Sequence, residues 1–171
     1  GSPPLHVLVV DDSRVTRQQI RSVLDQLGVQ TTLLSDGRQA LDSLLATMAS
    51  ARRQLDVCTY VLAADAVGQQ VAQALCQAVQ RGVQVRLLVD AVGSLGMPAS
   101  LLARLASQGV QVRRFMPLLR NPLRGHTNLR NHRKLVVADG QRLWSGGRNL
   151  ASEYFIDQPQ RPAWVDLSFE L

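Results

Sequence analysis

The 171-residue sequence predicts an α/β fold: one three-layer domain with a mostly parallel sheet, extended at its carboxy end by a β-hairpin and a final strand. Three observations carry this reading. Short apolar runs alternate with longer stripes at helical spacing. Glycines stand where those stripes end and the chain must turn back. Late in the chain an Asp-Gly pair separates two apolar segments, the pattern of a tight hairpin.

Residues 5–10 (LHVLVV) read as a buried parallel strand that ends in Asp11-Asp12. Ser13 can cap the helix that follows, whose stripe is Val15, Ile20, Val23, Leu24 and Leu27, with Gly28 closing it. Residues 31–34 form a second strand, Asp36-Gly37 a turn, and Ala40, Leu41, Leu44, Leu45 and Met48 a second helical stripe. A third strand spans 55–62, and Val71, Ala74, Leu75, Ala78 and Val79 mark a third helix ending at Arg81-Gly82. Strand 83–89, a helix carrying Leu101, Leu102 and Leu105 up to Gly109, and strand 110–115 complete the alternation. The rhythm then changes. Residues 117–131 are a polar loop long enough to be functional, 132–145 read as a hairpin around Asp139-Gly140, and 164–171 as a last alternating strand.

Composition bounds the function. Hydrophobic residues make up 46% and charged residues 19%, as in globular proteins. No apolar run approaches the roughly 18 residues of a membrane span, and no signal peptide is read. Gly1-Ser2 has the look of a cleaved expression tag. Cys58 and Cys76 lack metal or CxxC spacing, so the expectation is two buried, reduced thiols and a cytoplasmic setting, with peripheral membrane association open. No cofactor or metal is called for. The net charge of +6 favours anionic partners, and ten of the nineteen basic residues lie between Arg104 and Arg148. Only one of the nineteen is a lysine, Lys134.

The stretch VLVVDDSRVTRQQI, with LDQLGV and SDGRQALDSLL, resembles the first half of a chemotaxis-type response-regulator receiver domain. The resemblance implies a flavodoxin-like layout for residues 5–45 and a Mg²⁺ site at Asp11 and Asp12. Val61 stands where such a domain carries its phosphorylated aspartate, so the pair reads as vestigial and a signalling role as distant.

From residue 46 onward the chain resembles the phospholipase D superfamily, in particular bacterial cardiolipin synthases. The likeness runs through LDVCTYVL, QAVQRGVQVRLLVDAVGS and ARLASQGVQVRRFMPLL to NLRNHRKLVVADGQRLWSGGRNLASEY. That last segment holds the signature: His132, Lys134, Asp139, Gly146-Gly147 and Asn149. Cys58 departs from the polar or acidic residue common there. The resemblance implies that His132 attacks phosphorus to give a phosphohistidine, and that Lys134, Gly147 and Asn149 bind the phosphate. Asp166 would hold the other ring nitrogen of His132, with Glu153 in reserve. Asp139 is divided between a site role and a turn role, and His126 reads as incidental. Sites of this family pair two such motifs, and this chain has one, so a complete site requires a homodimer. The implied substrate is an anionic phosphodiester or phospholipid headgroup. Half of one family followed by half of another, in one hybrid domain over 1–171, points to an engineered chimera, with a natural domain fragment as the other reading.

Overall fold

The computed structural model describes residues 6–10, 14–26, 28, 30–34, 36–91, 93, 97–115, 133–164 and 168–170. Asp11, Asp12, His126, His132 and Asp166 lie outside the described residues.

In chain order the elements are β1 (His6–Val10), α1 (Arg14–Gln26), β2 (Gln30–Leu34), α2 (Gly37–Ser50), β3 (Gln54–Thr59), α3 (Ala66–Gln80), β4 (Gln84–Asp90), α4 (Ala99–Ser107), β5 (Gln111–Phe115), β6 (Leu135–Ala138), β7 (Arg142–Gly146), a 3₁₀ turn (Ser152–Tyr154) and β8 (Ser168–Glu170). The helices start and stop where local chemistry directs. Asp36 caps α2 by accepting the Gln39 N–H at 2.8 Å, and Asp65 caps α3 by accepting that of Gly68 at 3.0 Å. After α3, Gly82 takes φ +84°, a left-handed conformation that a residue with a Cβ resists.

Among the described residues the eight strands belong to one sheet, in the order β2-β1-β8-β7-β6-β3-β4-β5. The expectation of a mostly parallel sheet with a receiver-like first half needs correction here. Among the described residues only β1–β2, β3–β4 and β4–β5 pair in parallel, and the other four strand pairings are antiparallel. In a receiver-like layout β1 would neighbour β3. Instead the carboxy-terminal strands β6, β7 and β8 stand between them rather than extending an edge. The cause is the hairpin: its strands are antiparallel by construction, and β6 joins the open edge of β3 from Leu55↔Ala138 to Cys58↔Leu135.

One face of the sheet forms the core. Leu55, Val57, Val85, Leu87, Val89, Val136 and Trp144 are buried there, against Leu41, Leu44 and Met48 of α2, Val71 and Leu75 of α3, and Leu101, Leu102 and Leu105 of α4. Each fully buried side chain of this size stabilises the fold by about 1.5–3 kcal/mol relative to exposure. Leu45, expected in the same stripe, is only half-buried. Contacts link α2 to α3 and α3 to α4, so these three helices form one layer. The β1-α1-β2 connection runs the opposite way along the sheet, and a right-handed crossover puts α1 on the other face as the third layer. Away from α1 that face keeps a polar row, including the half-exposed Asp56–Arg86 ion pair, a geometry worth at most about 1 kcal/mol.

Candidate functional site

The site is built where β3, β6 and β7 meet. Because β6 is antiparallel to both neighbours, its first residues lie beside the carboxy ends of β3 and β7. Lys134 stands immediately before β6, half-buried. Its carbonyl accepts from the Gly146 N–H at 3.3 Å and the Ser145 hydroxyl at 2.8 Å, so its backbone is fixed to the end of β7. Its ammonium lies 5.8 Å from the centroid of the Tyr60 ring.

Tyr60 is there because β3 ends earlier than its apolar run. The predicted strand 55–62 stops at Thr59, whose hydroxyl donates to the Val61 carbonyl at 2.8 Å and turns the chain out of the sheet. The following residues become one side of a strap. Leu150 N donates to Val61 O at 3.0 Å and Ala63 N to Leu150 O at 2.9 Å, in a parallel bridge centred on Leu62 and Leu150. That strap holds the segment Gly146-Gly147-Arg148-Asn149 beside Lys134.

Asp65 locks the strap at its far end. One carboxylate oxygen caps α3 through Gly68, and the other accepts from Ser152 N at 2.6 Å. Ser152 answers by accepting the Val67 N–H at 3.2 Å. Gly68 has no room for a side chain, since a Cβ there would lie 1.7 Å from the Ala63 carbonyl oxygen. The N–H groups of Val67, Gly68 and Gln69 in the first turn of α3 are therefore spent within the protein. Arg148, 3% exposed, donates to the Tyr154 carbonyl at 2.9 Å and to the Ser168 hydroxyl at 3.2 Å, which ties the strap to β8.

Of the expected set, Lys134 is joined to Gly146 by a backbone hydrogen bond, and Gly147 and Asn149 follow in the strap that Leu150 bridges to Val61 and Ala63. Asn149 is 7% exposed, and its amide oxygen has no hydrogen-bond partner among the described residues. A buried polar atom left without a partner costs about 1–3 kcal/mol. Glu153 is exposed on the 3₁₀ turn. Tyr60, Asp65 and Arg148 were missed from the sequence. Asp65 had a usable signal, standing three residues before Gly68 as a helix cap does.

Asp139 does not join them. It lies at the opposite end of β6 from Lys134, five residues or about 16 Å away along a strand. It adopts φ +56° in the hairpin turn. Its carboxylate accepts three backbone N–H groups: Gln54 at 2.9 Å and Arg53 at 2.8 Å on one oxygen, Arg52 at 2.9 Å on the other. These bonds, that of Gln54 foremost, hold the carboxyl below its ordinary range. Its place is a clamp between the hairpin and the start of β3, which corrects its assignment as a site residue. Asparagine suits the turn but offers one acceptor oxygen and an NH₂ that faces donors. Asp139→Asn is therefore expected to lower the unfolding midpoint at neutral pH. A depressed folded pKa gives stability that is present above the ordinary carboxylate range and lost as pH falls through the depressed value. The gap between wild type and variant should accordingly close in strong acid, as unfolding curves at stepped pH would show. A constant gap would exclude the clamp.

Cys58 and Cys76 are half-buried and form no disulfide. Among the described residues no group of three or more His, Cys, Asp or Glu is placed to hold a metal, and no helix is long and apolar enough to cross a membrane.

Comparison with known proteins places this geometry. Residues 44–160 match the family described as cardiolipin synthase, PLD-like domain. Cardiolipin synthase A of Pseudomonas aeruginosa PAO1 is 34% identical over 139 residues, 81% of this chain and 28% of the relative. That of Pseudomonas putida F1 is 35% identical over 142 residues, 83% of this chain and 30% of the relative. The chain spans less than a third of these relatives' length. Among solved structures, NucT from Helicobacter pylori aligns with a TM-score of 0.60 at 18% identity, covering 78% of this chain and 77% of that one. Phosphatidylserine synthase from Haemophilus influenzae aligns with a TM-score of 0.63 at 14% identity, covering 81% and 32%. A match that takes in 142 of 171 residues begins no later than residue 30. β2 and α2 therefore fall within the family likeness, ahead of the boundary at residue 46 read from the sequence. With that likeness running from the second strand through the strap around Asn149, the chain belongs to the phospholipase D-like family of the cardiolipin synthases.

Proposed function

We propose that this domain supplies one half of a phosphodiester-transfer site, completed by a second copy of itself. His132 is the nucleophile, Lys134 neutralises charge on the phosphate oxygens, and Gly147 and Asn149 hold the phosphate. What supports the reading is the meeting of Lys134 and the Gly146–Asn149 strap at one edge of the sheet, within the matched span.

In this mechanism a neutral ring nitrogen of His132 attacks phosphorus and the bond to the leaving oxygen breaks. That oxygen takes a proton from the partner's general acid, the second His132. The phosphohistidine then passes its phosphoryl group to an alcohol, or to water, which gives up its proton to the same partner group. Asp166 orients the other nitrogen of the nucleophilic ring. The curated relatives are named cardiolipin synthases, so the substrate class we favour is the phosphatidyl phosphodiester of an anionic lipid. The notion of a chimeric chain then places any join to receiver-like sequence, read over residues 5–45, ahead of a matched span that begins no later than residue 30.

A two-chain site makes a kinetic prediction. Hydrolysis of a soluble chromogenic phosphodiester should rise faster than linearly with protein concentration, then become linear once light scattering reports a dimer. A linear rate where the chain is monomeric would remove the shared site. Absence of turnover at every concentration would leave a silent half-domain.

A further inference from the structure

We infer that Asp65 is a positioning residue for Asn149, its second carboxylate oxygen taking the place of a main-chain acceptor in the strap. The role given to Asn149 rests on the half-site reading, though the clasp itself does not.

The strap and the segment after β3 begin as two parallel strands would. The Leu150 N–H donates to the Val61 carbonyl and the Ala63 N–H to the Leu150 carbonyl, the two bonds that flank a parallel bridge. Repeated two residues on, the pattern would send the Ser152 N–H to the Ala63 carbonyl. That carbonyl faces the first turn of α3 instead, 1.7 Å from where a Cβ of Gly68 would stand. The Ser152 N–H goes to Asp65 Oδ2 at 2.6 Å, a charge-assisted bond of the stronger kind. The Ser152 hydroxyl accepts the Val67 N–H at 3.2 Å, so the strap and the helix start hold each other twice.

This clasp fixes the chain just beyond Asn149. The Asn149 carbonyl accepts the Ala151 N–H at 3.0 Å, and Leu150 is bridged on both sides, so residues 149–152 are tied as one piece. On the near side stand Gly146 and Gly147, and glycines lend the backbone little stiffness of their own. The direction of the Asn149 amide is therefore set from the Asp65 end. A group that meets a phosphate helps only if it is placed beforehand, and a shift of about 1 Å can cost about 10²-fold.

Asp65 Oδ1 separately caps α3 through the Gly68 N–H at 3.0 Å, so cap and clasp can be pulled apart. Asp65→Asn keeps a capping oxygen but turns an NH₂ towards the Ser152 N–H. Asp65→Ser keeps a capping hydroxyl and has no second oxygen. Hydrogen–deuterium exchange read by mass spectrometry needs no turnover. In both variants a peptide covering residues 147–155 should exchange about ten- to a hundredfold faster, the factor expected for losing a bond to a charged acceptor. A peptide covering residues 66–72 should keep its wild-type rate. Where turnover is measurable, kcat should fall about ten- to a hundredfold with little change in KM. Unchanged exchange in the strap of both folded variants would overturn the clasp, as would loosening of the strap only together with the first turn of α3. A loosened strap with full kcat would overturn the positioning role. Absence of turnover in wild type, with the strap loosened in the variants, would instead sink the half-site reading and leave the clasp standing.

Discussion

Replacing His132 with alanine is expected to abolish phosphodiester turnover, by at least about 10⁴-fold, with Lys134→Ala lower by about 10²–10³-fold. The effects differ in size because the roles differ in number. On the proposed mechanism His132 would serve one protomer as nucleophile and its partner as acid, so one substitution would remove both functions. On the same mechanism Lys134 would stabilise charge that develops on the phosphate but would make and break no bond. Neither change should unfold the protein: Lys134 is only half-buried and its ring contact is worth about 0.5–1 kcal/mol. Its neighbour Arg133 is exposed and cannot take its place, since a guanidinium fork is not a substitute for a point charge on a short reach. Subunit mixing sharpens the test. Titrating wild type with an excess of His132→Ala should drive the activity towards zero, because every mixed dimer lacks one of the two rings. Activity that merely dilutes in proportion, or that survives His132→Ala alone, would show that the chemistry lies elsewhere.

Local signals in the sequence were read well where the structure is itself local. The stripes of α2, α3 and α4 and the Asp139-Gly140 turn depend on neighbours within one or two turns of chain. Of the residues in the site signature, Lys134 and Gly146 meet through one backbone hydrogen bond at the end of the hairpin. What escaped depends on partners far away in sequence. The carboxylate of Asp139 is consumed by N–H groups more than eighty residues upstream, so a turn residue and a clamp look identical from the sequence. The second oxygen of Asp65 reaches Ser152 across a similar distance. Insertion of β6, β7 and β8 between β1 and β3 is a matter of which strand edges find each other, and apolar periodicity is silent on that. The early end of β3 is the same lesson at small scale: the apolar run continues to Leu62, but a threonine hydroxyl and a bridge to Leu150 take the chain out of the ladder. Tyr60, which that turn exposes to Lys134, could not be distinguished from a strand residue.

Leu44→Ala is expected to cost about 2–5 kcal/mol, a drop of roughly 5–15 °C in melting temperature for a chain of this size. Leu44 is fully buried at the middle of α2, flanked by Leu41 and Met48 on the same stripe. That helix packs on β6, β7, β1 and α3, so it touches both the amino-terminal strands and the carboxy-terminal hairpin. A cavity there is felt on both sides of any join between the two sequence halves. The loss should therefore shift one cooperative transition rather than melt one portion first. Trp144 supplies the reporter, since it is fully buried on β7, a strand in contact with α2. With the exposed Trp164 changed to phenylalanine, fluorescence follows Trp144 in the core, while far-ultraviolet circular dichroism follows all helices including α1. Coincident curves that move together in Leu44→Ala are the expected result. A cost under about 0.5 kcal/mol, or a helical signal that melts ahead of Trp144, would mean that β1 and α1 are appended to the phospholipase D-like sheet without sharing its core.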